Sequence, residues 1–182
     1  MVLRTNMADP VNVLVVFYSR YGRAERLALA VGVGAIEAEA NIRLRRLPDD
    51  ASAETIQSDA AWRESLDRMN RDYVAPRPAD PVWADVIVLA TPAESSREVE
   101  AFVATLPRLG VMTGKLAAPL SPGEDATCDG VFVATARAGL ISVPQTPAPD
   151  ATPDPESLTQ ARLHGQRLVQ LARAMKTPSA AN

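Results

Sequence analysis

The stretch Val13-Leu14-Val15-Val16-Phe17-Tyr18-Ser19-Arg20-Tyr21-Gly22 joins an unbroken apolar run of strand length to a short turn. A helical pattern follows at once, in which Leu27, Val31, Gly34 and Ala38 share one face. A fully apolar run is typical of a central strand in a parallel sheet, because helices cover both faces of such a sheet. The segment therefore predicts a strand, a turn and a helix, with Gly34 allowing the helix to approach the sheet closely.

The composition favours one domain with an aliphatic core. The chain has 182 residues, of which 47% are hydrophobic but only 4% aromatic, so Val, Leu, Ile and Ala must fill the core. The formal net charge is −3 and no basic stripe is present, which argues against a nucleic-acid partner. No apolar run is long enough to span a bilayer, and the polar first ten residues lack the apolar segment of a signal peptide. These features predict a cytoplasmic protein without membrane insertion.

The chain contains one cysteine, Cys128, and one histidine, His164. An internal disulfide is impossible, and a zinc site built from Cys and His is disfavoured, so no metal site is predicted. A Ser-His-Asp triad would have to use His164, and the sequence has no nucleophile-elbow pattern.

The rest of the chain alternates strand and helix signals. Half-exposed alternation at Asn41–Leu47 predicts an edge strand, in which Arg43 and Arg45 point outwards. The other predicted strands are Asp85–Ala90, Lys115–Leu120 and Leu140–Val143. The other predicted helices are Ala53–Asp72, one that begins after Ser95 or Ser96, and a last one in which Asp154 is the cap and Pro155 the first residue. Residues 121–130 read as an acidic turn region, and Val131–Ala138 fits either a helix or a strand.

Such alternation predicts a doubly wound α/β fold with a five-stranded parallel sheet in the order 2-1-3-4-5 and helices on both faces. The domain is expected to span residues 12–176, between disordered tails at 1–11 and 177–182. In this strand order ligands bind outside the carboxyl ends of the strands, where the order reverses between the first and third strands.

The turn after the first strand lies at that point. Unpaired backbone N–H groups and the helix dipole favour an anion there, so Ser19, Gly22 and either Arg20 or Arg23 are candidates for binding a phosphate. The alternative is an ordinary strand-to-helix turn, which also commonly contains Ser and Gly. The glycine spacings of the P-loop and of the dinucleotide fingerprint are absent.

Four stretches in order along the chain are similar to motifs of the WrbA-type NAD(P)H:quinone oxidoreductases. The first is Val13–Arg26, where Tyr18, Ser19, Tyr21, Gly22 and Glu25 match the family's Y-S-x-Y-G-x-x-E-T; the others are Ala84–Pro92, Gly114–Ala117 and Ala161–Gly165. The resemblance implies a flavodoxin-like fold, bound FMN, NAD(P)H and a quinone as substrates, and a homo-oligomer, either dimer or tetramer. It implies two-electron reduction of the quinone through the flavin. It also implies a set of FMN-binding residues, with the phosphate at the turn and the ring beside the end of the third strand: Ser19, Arg20, Tyr21, Gly22, Arg23, Ala24, Thr91, Pro92 and Ala93.

The sequence departs from the family where the flavin ring would lie. Ala93-Glu94-Ser95 replaces a loop that carries an aromatic residue, and residues 121–127 replace a glycine-rich loop. Arg137-Ala138-Gly139 stands where the family has a histidine, and no catalytic side chain can be named. Three carboxylates near the ring, Glu94, Glu124 and Asp125, would disfavour a reduced flavin if they point inwards. The alternative function is a divergent, non-catalytic protein that has lost FMN binding and acts as a partner or regulatory subunit.

Few aromatic residues are predicted at the site. Tyr21 is the only one assigned to it, whereas Trp62 is expected to pack a helix and Trp83 to lie at the opposite end of the sheet. Two further arginines, Arg97 and Arg137, are candidates for binding a nicotinamide phosphate or a quinone oxygen, with a solvated position as the alternative.

The single cysteine and histidine are given structural interpretations. Cys128 is expected to lie in a loop as a bystander. His164 is expected to be a structural or an interface residue, because it lies beside the inward stripe of the last helix.

Overall fold

A computed structural model describes residues 9–92, 95–122, 126–145 and 153–176, without the side chains of residues 126 and 127. Within these ranges five parallel strands form one sheet in the order β2-β1-β3-β4-β5. The strands are β1 (Asn12–Phe17), β2 (Asn41–Arg46), β3 (Val86–Ala90), β4 (Leu116–Leu120) and β5 (Ile141–Ser142). The helices are α1 (Arg23–Glu37), α2 (Ala53–Ser58), α3 (Ala60–Asp72), α4 (Ala79–Trp83), α5 (Arg97–Thr105), α6 (Ala126–Arg137) and α7 (Pro155–Lys176). The predicted sheet order is confirmed.

The core has two halves, one on each face of the sheet. Alternate residues of β1 explain this, since Val13, Val15 and Phe17 face α1 and α7. The intervening Leu14 and Val16 face α5 and α6. Every residue from 13 to 17 is fully buried, so β1 is the central strand that its apolar run predicted.

β2 lies at the edge of the sheet, as its alternating pattern predicted. Its arginines bind a buried carboxylate instead of only facing solvent. The Asp80 side chain, 3% exposed, accepts from Arg43 Nη1 at 3.0 Å and from Arg45 Nε at 2.7 Å. Burial raises the pKa of Asp80, but the hydrogen bonds from Arg45, the backbone N–H of Arg77 and Arg43 lower it below its ordinary value.

The segment between β2 and β3 differs from its prediction. The single helix predicted for Ala53–Asp72 is two helices, because Asp59 has an extended backbone and caps α3 by accepting from the Trp62 N–H. The segment between α3 and β3 is rich in proline, with Pro76, Pro78 and Pro81, and it contains the short helix α4. Lys115 Nζ donates to the carbonyls of Pro81, Val82 and Ala84 and thereby satisfies the end of that helix.

One open alternative is settled and two other predictions are corrected. The undecided stretch Val131–Ala138 is helical, and α6 begins at Ala126, inside the region that the sequence predicted as a turn. Cys128 is therefore a buried helix residue and not a loop residue. Residues 123–125 of that predicted turn lie outside the described residues.

The close approach of Gly34 is made to another helix and not to the sheet. A Cβ atom built on Gly34 would lie 1.8 Å from the backbone oxygen of Arg162 in α7. Reciprocally, a Cβ atom on Gly165 would lie 2.2 Å from the backbone oxygen of Val31 in α1. The two glycines thus allow α1 and α7 to touch backbone to backbone on one face of the sheet.

The ends of the domain are only partly described. Residues 1–8 and 177–182 of the two predicted tails lie outside the described residues. Val11, which the sequence placed in the first tail, is fully buried, and its carbonyl accepts from the Asn41 N–H at 2.9 Å. Among the described residues, no helix has the length and apolar character needed to cross a membrane.

Candidate functional site

The turn between β1 and α1 ends in Gly22, which gives the start of α1 no side-chain cap. Gly22 precedes the helix in the left-handed region, at φ 84°, and its N–H donates to Ser19 Oγ at 2.9 Å. Ser19 is almost fully buried. Because the Ser19 hydroxyl accepts from Gly22, its own proton is left to donate, and a phosphate oxygen is a suitable acceptor. Gly22 is needed here because its φ is costly for any other residue.

The residues predicted to lie beside the flavin ring are at the same edge of the sheet as this turn. The Tyr18 N–H donates to the carbonyl of Ala90, the last residue of β3, at 3.0 Å. The next residue, Thr91, donates its N–H to the Leu120 carbonyl at the end of β4 at 2.9 Å, and its hydroxyl donates to the Ser95 carbonyl at 2.6 Å. Thr91 and Pro92 are both buried. Ala93, the last predicted ring-side residue, lies outside the described residues.

A buried carboxylate after β2 holds the turn from one side. Asp49 Oδ1 accepts from the Tyr18 hydroxyl at 3.2 Å and from Trp62 Nε1 at 3.0 Å, and Asp49 Oδ2 accepts from Arg46 Nη2 at 2.5 Å. The Arg20 guanidinium lies over the Trp62 ring, 4.7 Å from its centroid, and its Nε donates to the Tyr18 hydroxyl. The expectation that Tyr21 is the only aromatic residue at the site is therefore wrong.

Trp62 and Asp49 contact the turn although the sequence did not predict them there. The partial signals for them were a carboxylate three residues after the end of β2 and a tryptophan three residues after a capping Asp59. Trp62 does pack a helix, as predicted, but the same ring also fixes Arg20.

A second buried carboxylate supports the turn from the α1 side. Glu25 lies in the first turn of α1 and is 4% exposed. It accepts from Arg68 Nη1 at 2.7 Å, from Arg68 Nη2 at 2.5 Å and from the Tyr73 hydroxyl at 2.6 Å. Burial raises the pKa of Glu25, and the bonds from Arg68 and Tyr73 more than offset this effect, so the pKa lies below its ordinary value.

The exposed side of the turn is also tied to α3. Tyr21 is 41% exposed, and its hydroxyl donates to Asp59 Oδ2 at 2.7 Å. Together with the Arg20–Trp62 and Glu25–Arg68 contacts, this bond makes α3 a brace along the whole turn. The brace fixes the backbone of the turn.

The end of β4 contributes a further polar atom. Ser121 Oγ is buried and has no hydrogen-bond partner in the described part of the chain. Of the three carboxylates expected near a flavin ring, Glu94, Glu124 and Asp125, none lies within the described residues.

The remaining arginine candidates lie on the surface. Arg97 is highly exposed and pairs with Asp50 at 2.9 Å, while Arg137 ends α6 on the surface. Trp83 lies at the opposite end of the sheet, as predicted, because its carbonyl accepts from Asn12 at the start of β1. In the described ranges no three His, Cys, Asp or Glu side chains are grouped as a metal ion would require.

His164 is buried on α7, and this position has a measurable consequence for stability. Burial lowers the pKa of His164 to about 4, Arg167 adds to the lowering, and a hydrogen bond with the Val143 backbone opposes it. In the unfolded chain His164 is protonated below about pH 6.5, whereas in the folded chain it is protonated only below about pH 4. The free energy of unfolding therefore decreases as the pH falls from 6.5 to 4. The expected loss from His164 alone is on the order of 3 kcal/mol.

Urea unfolding of the wild type and of His164→Gln at pH 7, 5.5 and 4 checks this prediction. The variant lacks the titrating group, so its stability should fall less over the same window while other carboxylates contribute equally to both proteins. An identical pH dependence in the two proteins would contradict it.

Comparison with known proteins agrees with this fold. No protein-family profile matches the chain. A Deinococcus radiodurans protein named NAD(P)H dehydrogenase (quinone) is 26% identical over 151 residues, which cover 76% of this chain and 74% of the relative. A protein of the same name from Archaeoglobus fulgidus is 24% identical over 185 residues, with 88% of this chain and 96% of the relative covered.

The structural comparison shows the fold directly. A flavodoxin from the domain Archaea superposes with a TM-score of 0.65 at 13% identity, covering 89% of this chain and 99% of that flavodoxin. The chain therefore has the flavodoxin-like fold and is distantly related, over most of its length, to proteins named NAD(P)H dehydrogenase (quinone).

Proposed function

We propose that the chain is an FMN-binding NAD(P)H:quinone oxidoreductase that reduces quinones by two electrons through bound flavin. The single observation that carries this proposal is the turn at residues 19–22, where Ser19 caps a left-handed Gly22 at the start of α1 and at the switch point of the sheet. The names of the two distant relatives support the choice of activity.

The residues at the turn fit a phosphate group. Ser19 has a hydroxyl proton to donate, and the first backbone N–H groups of α1, from Arg23 and Ala24 onwards, point towards an anion at the helix start. Arg20 and Arg23 add positive charge to this end, whereas the carboxylate of Glu25 is neutralised by Arg68. Tyr21 would lie at the exposed rim of the bound phosphate.

Thr91 and Pro92, which are proposed to lie beside the flavin ring, fit a flat ligand through their backbone groups and not through their side chains. Thr91 and Pro92 are buried at the end of β3, where Thr91 uses its hydroxyl to hold Ser95. With Ala93 they would offer backbone groups beside the ring and exclude water from it. Bound FMN would supply the hydride chemistry between NAD(P)H and the quinone, since flavins carry that chemistry themselves. The chain's own part is to bind and orient, and no side chain is assigned a catalytic role.

A homo-oligomer forms part of the proposal. The outer face of α1 exposes Leu29, Val33 and Ile36 at the spacing of a helical stripe, each at least 40% exposed. Exposed apolar stripes of this kind favour association of subunits. A dimer or tetramer in solution, measured by light scattering, would agree with this part of the proposal.

A non-catalytic protein that has lost FMN binding is the second candidate. It is favoured by the contacts of Arg20 with Trp62 and Tyr18 and of Tyr21 with Asp59, which show that the turn is braced by the chain itself. In that case the brace would serve the fold, and the protein would act as a partner or regulatory subunit.

An activity assay separates the two candidates. Oxidation of NADH and NADPH by the purified protein is followed with a soluble quinone, with and without added FMN. The oxidoreductase predicts quinone-dependent turnover that exceeds the rate of free FMN and follows the amount of protein. Bound FMN without such turnover would contradict the activity but leave the binding intact, and no bound FMN would leave the second candidate.

A further inference from the structure

A cleft of about 450 Å³ lies between the segment after β2 and the exposed side of α5. One wall is formed by residues 47–50, and the other is formed by residues of α5 between positions 97 and 105. Neither wall contains a residue of the turn at 19–24 or of the segment at 91–93, so the cleft shares no residue with the proposed FMN site. Its volume falls within the roughly 300–1,000 Å³ that is usual for small-molecule pockets.

Part of the lining is apolar, because the cleft reaches the margin of the core on that face of the sheet. Leu47 lines the cleft and belongs to this core, and the half-buried Phe102 packs against the same core. Pro48, which is exposed, extends the apolar surface. These side chains favour a ligand with an apolar part. An aromatic ring suits Phe102 best, since a pair of aromatic rings gains more than its buried area alone provides.

Opposite charges from the two walls meet at this cleft. Arg97 Nη2 of α5 lies 2.9 Å from Asp50 Oδ2 of the segment after β2, and both residues line the cleft. The Arg97 side chain is 80% exposed and the Asp50 side chain 57% exposed, so a ligand can reach both charged groups. An exposed ion pair contributes little to stability, and a ligand can therefore replace this one at little cost.

The two other carboxylates of the lining differ in their availability. Glu98 Oε2 accepts from Ser95 Oγ at 3.3 Å, and Glu98 forms no ion pair within the residues that the structure describes. The Asp49 side chain, by contrast, is 6% exposed and is occupied by the contacts described above. The cleft thus offers a ligand one cation, Arg97, and two carboxylates, Asp50 and Glu98.

We infer that this cleft binds an α-amino acid with an aromatic side chain. The ligand's carboxylate pairs with Arg97, whose planar fork donates two parallel hydrogen bonds to such a group. Its ammonium group pairs with Asp50 and Glu98, and its ring lies against Leu47 and Phe102. The cation and the carboxylate of the chain are neighbours, and an α-amino acid carries its own two charges on neighbouring groups of one carbon atom. A ligand with only one of these charges would leave half of the Arg97–Asp50 pair without a partner.

A set of related probes separates the parts of this ligand. The purified protein, labelled for NMR and carrying whatever flavin it retains, is titrated with L-phenylalanine. The matched probes are L-phenylalaninamide, which lacks the carboxylate, 3-phenylpropionate, which lacks the ammonium group, and glycine, which lacks the ring. L-Phenylalanine is expected to shift the backbone signals of residues 47–50 and 97–105 saturably, with a Kd of about 1 mM or lower. The other three are expected to bind at least about tenfold more weakly.

A variant and its control test which side chain holds the carboxylate. Arg97→Gln is expected to weaken the binding of L-phenylalanine by at least about tenfold. It should not weaken the binding of L-phenylalaninamide, because the amide has no carboxylate to pair with an arginine. Arg63→Gln, which removes an exposed arginine of α3 outside the cleft, should leave the binding of both probes unchanged. Both positions are exposed, so both variants should fold.

Several results would overturn the proposal. They are the absence of saturable binding of L-phenylalanine below about 10 mM, equal binding of L-phenylalanine and any of the other three probes, and unchanged binding in Arg97→Gln. Saturating FMN should leave the affinity for L-phenylalanine unchanged, and its displacement by FMN would also overturn the proposal. A protein that fails to bind FMN is still expected to bind the amino acid, so this proposal and the proposed function fail separately.

Discussion

Gly34→Ala is expected to destabilise the domain by about 3 kcal/mol or more, although alanine is the better helix former. The added Cβ atom would lie 1.8 Å from the backbone oxygen of Arg162, and neither backbone can move without separating α1 from α7. Overpacking of a core typically costs about 1–3 kcal/mol, and a contact between two backbones lies at the upper end because no rotamer can relieve it. Urea unfolding measures the difference.

The same helix provides a matched control. A Cβ atom on Gly32 would meet only the Ile42 Cδ1 atom, at 3.7 Å, which is an ordinary van der Waals distance. Gly32→Ala should therefore be neutral or stabilise the domain by up to about 1 kcal/mol through helix propensity. Equal stabilities of Gly32→Ala and Gly34→Ala would show that the two helices do not touch as described.

Arg68→Met is the second change with a large expected effect, a loss of about 2–3 kcal/mol. It removes two of the three hydrogen bonds to the buried Glu25 carboxylate and leaves only the one from Tyr73. Methionine retains much of the apolar part of the arginine side chain. The loss of stability therefore measures mainly the missing hydrogen bonds. Arg68 is 44% exposed, and solvent screening keeps the expected cost below that of a fully buried ion pair.

The pH dependence of the stability of Arg68→Met is a second measurement of the same effect. The pKa of Glu25 lies below its ordinary value in the folded protein, so the carboxylate stabilises the fold above its unfolded pKa, and this stability is lost as the pH falls through the folded pKa. In Arg68→Met the pKa of Glu25 should rise, and the acid-induced loss should become smaller. Arg63→Met, on the exposed side of the same helix, should change stability by less than about 0.5 kcal/mol. If Arg68→Met behaves like Arg63→Met, α3 does not brace the turn.

The central part of the fold was predictable because its signals are local. The apolar runs of β1 and β3 and the capped start of α7 each lie within a few consecutive residues, and the order of the strands follows from their burial. The secondary structure of α6 was ambiguous in the sequence. Its apolar residues include Val131, Val133 and Ala134, and this spacing fits both the two-residue period of a strand and the 3.6-residue period of a helix.

Contacts between distant segments were not predictable in the same way. Gly34 lies 128 residues before its contact with Arg162, and periodicity shows only that the glycine faces inwards. Likewise, Asp49, Trp62 and Arg68 reach the turn through side chains of the β2–β3 segment, whose path no local pattern fixes. The turn itself was identified from Ser19 and Gly22, but the brace around it required the structure.

Titration of the purified protein with FMN, followed by flavin fluorescence and calorimetry, tests whether the chain binds FMN at the turn after β1. Submicromolar binding is expected, and it should weaken by at least about tenfold in Arg23→Glu, since a carboxylate at the first residue of α1 repels the phosphate. Glutamate suits that helix position, so the variant should fold, and Arg108→Glu, beyond the far end of α5, should bind as the wild type does. Absence of binding at high micromolar FMN, in a folded protein in its native oligomeric state, would show that the chain is not an FMN-binding protein.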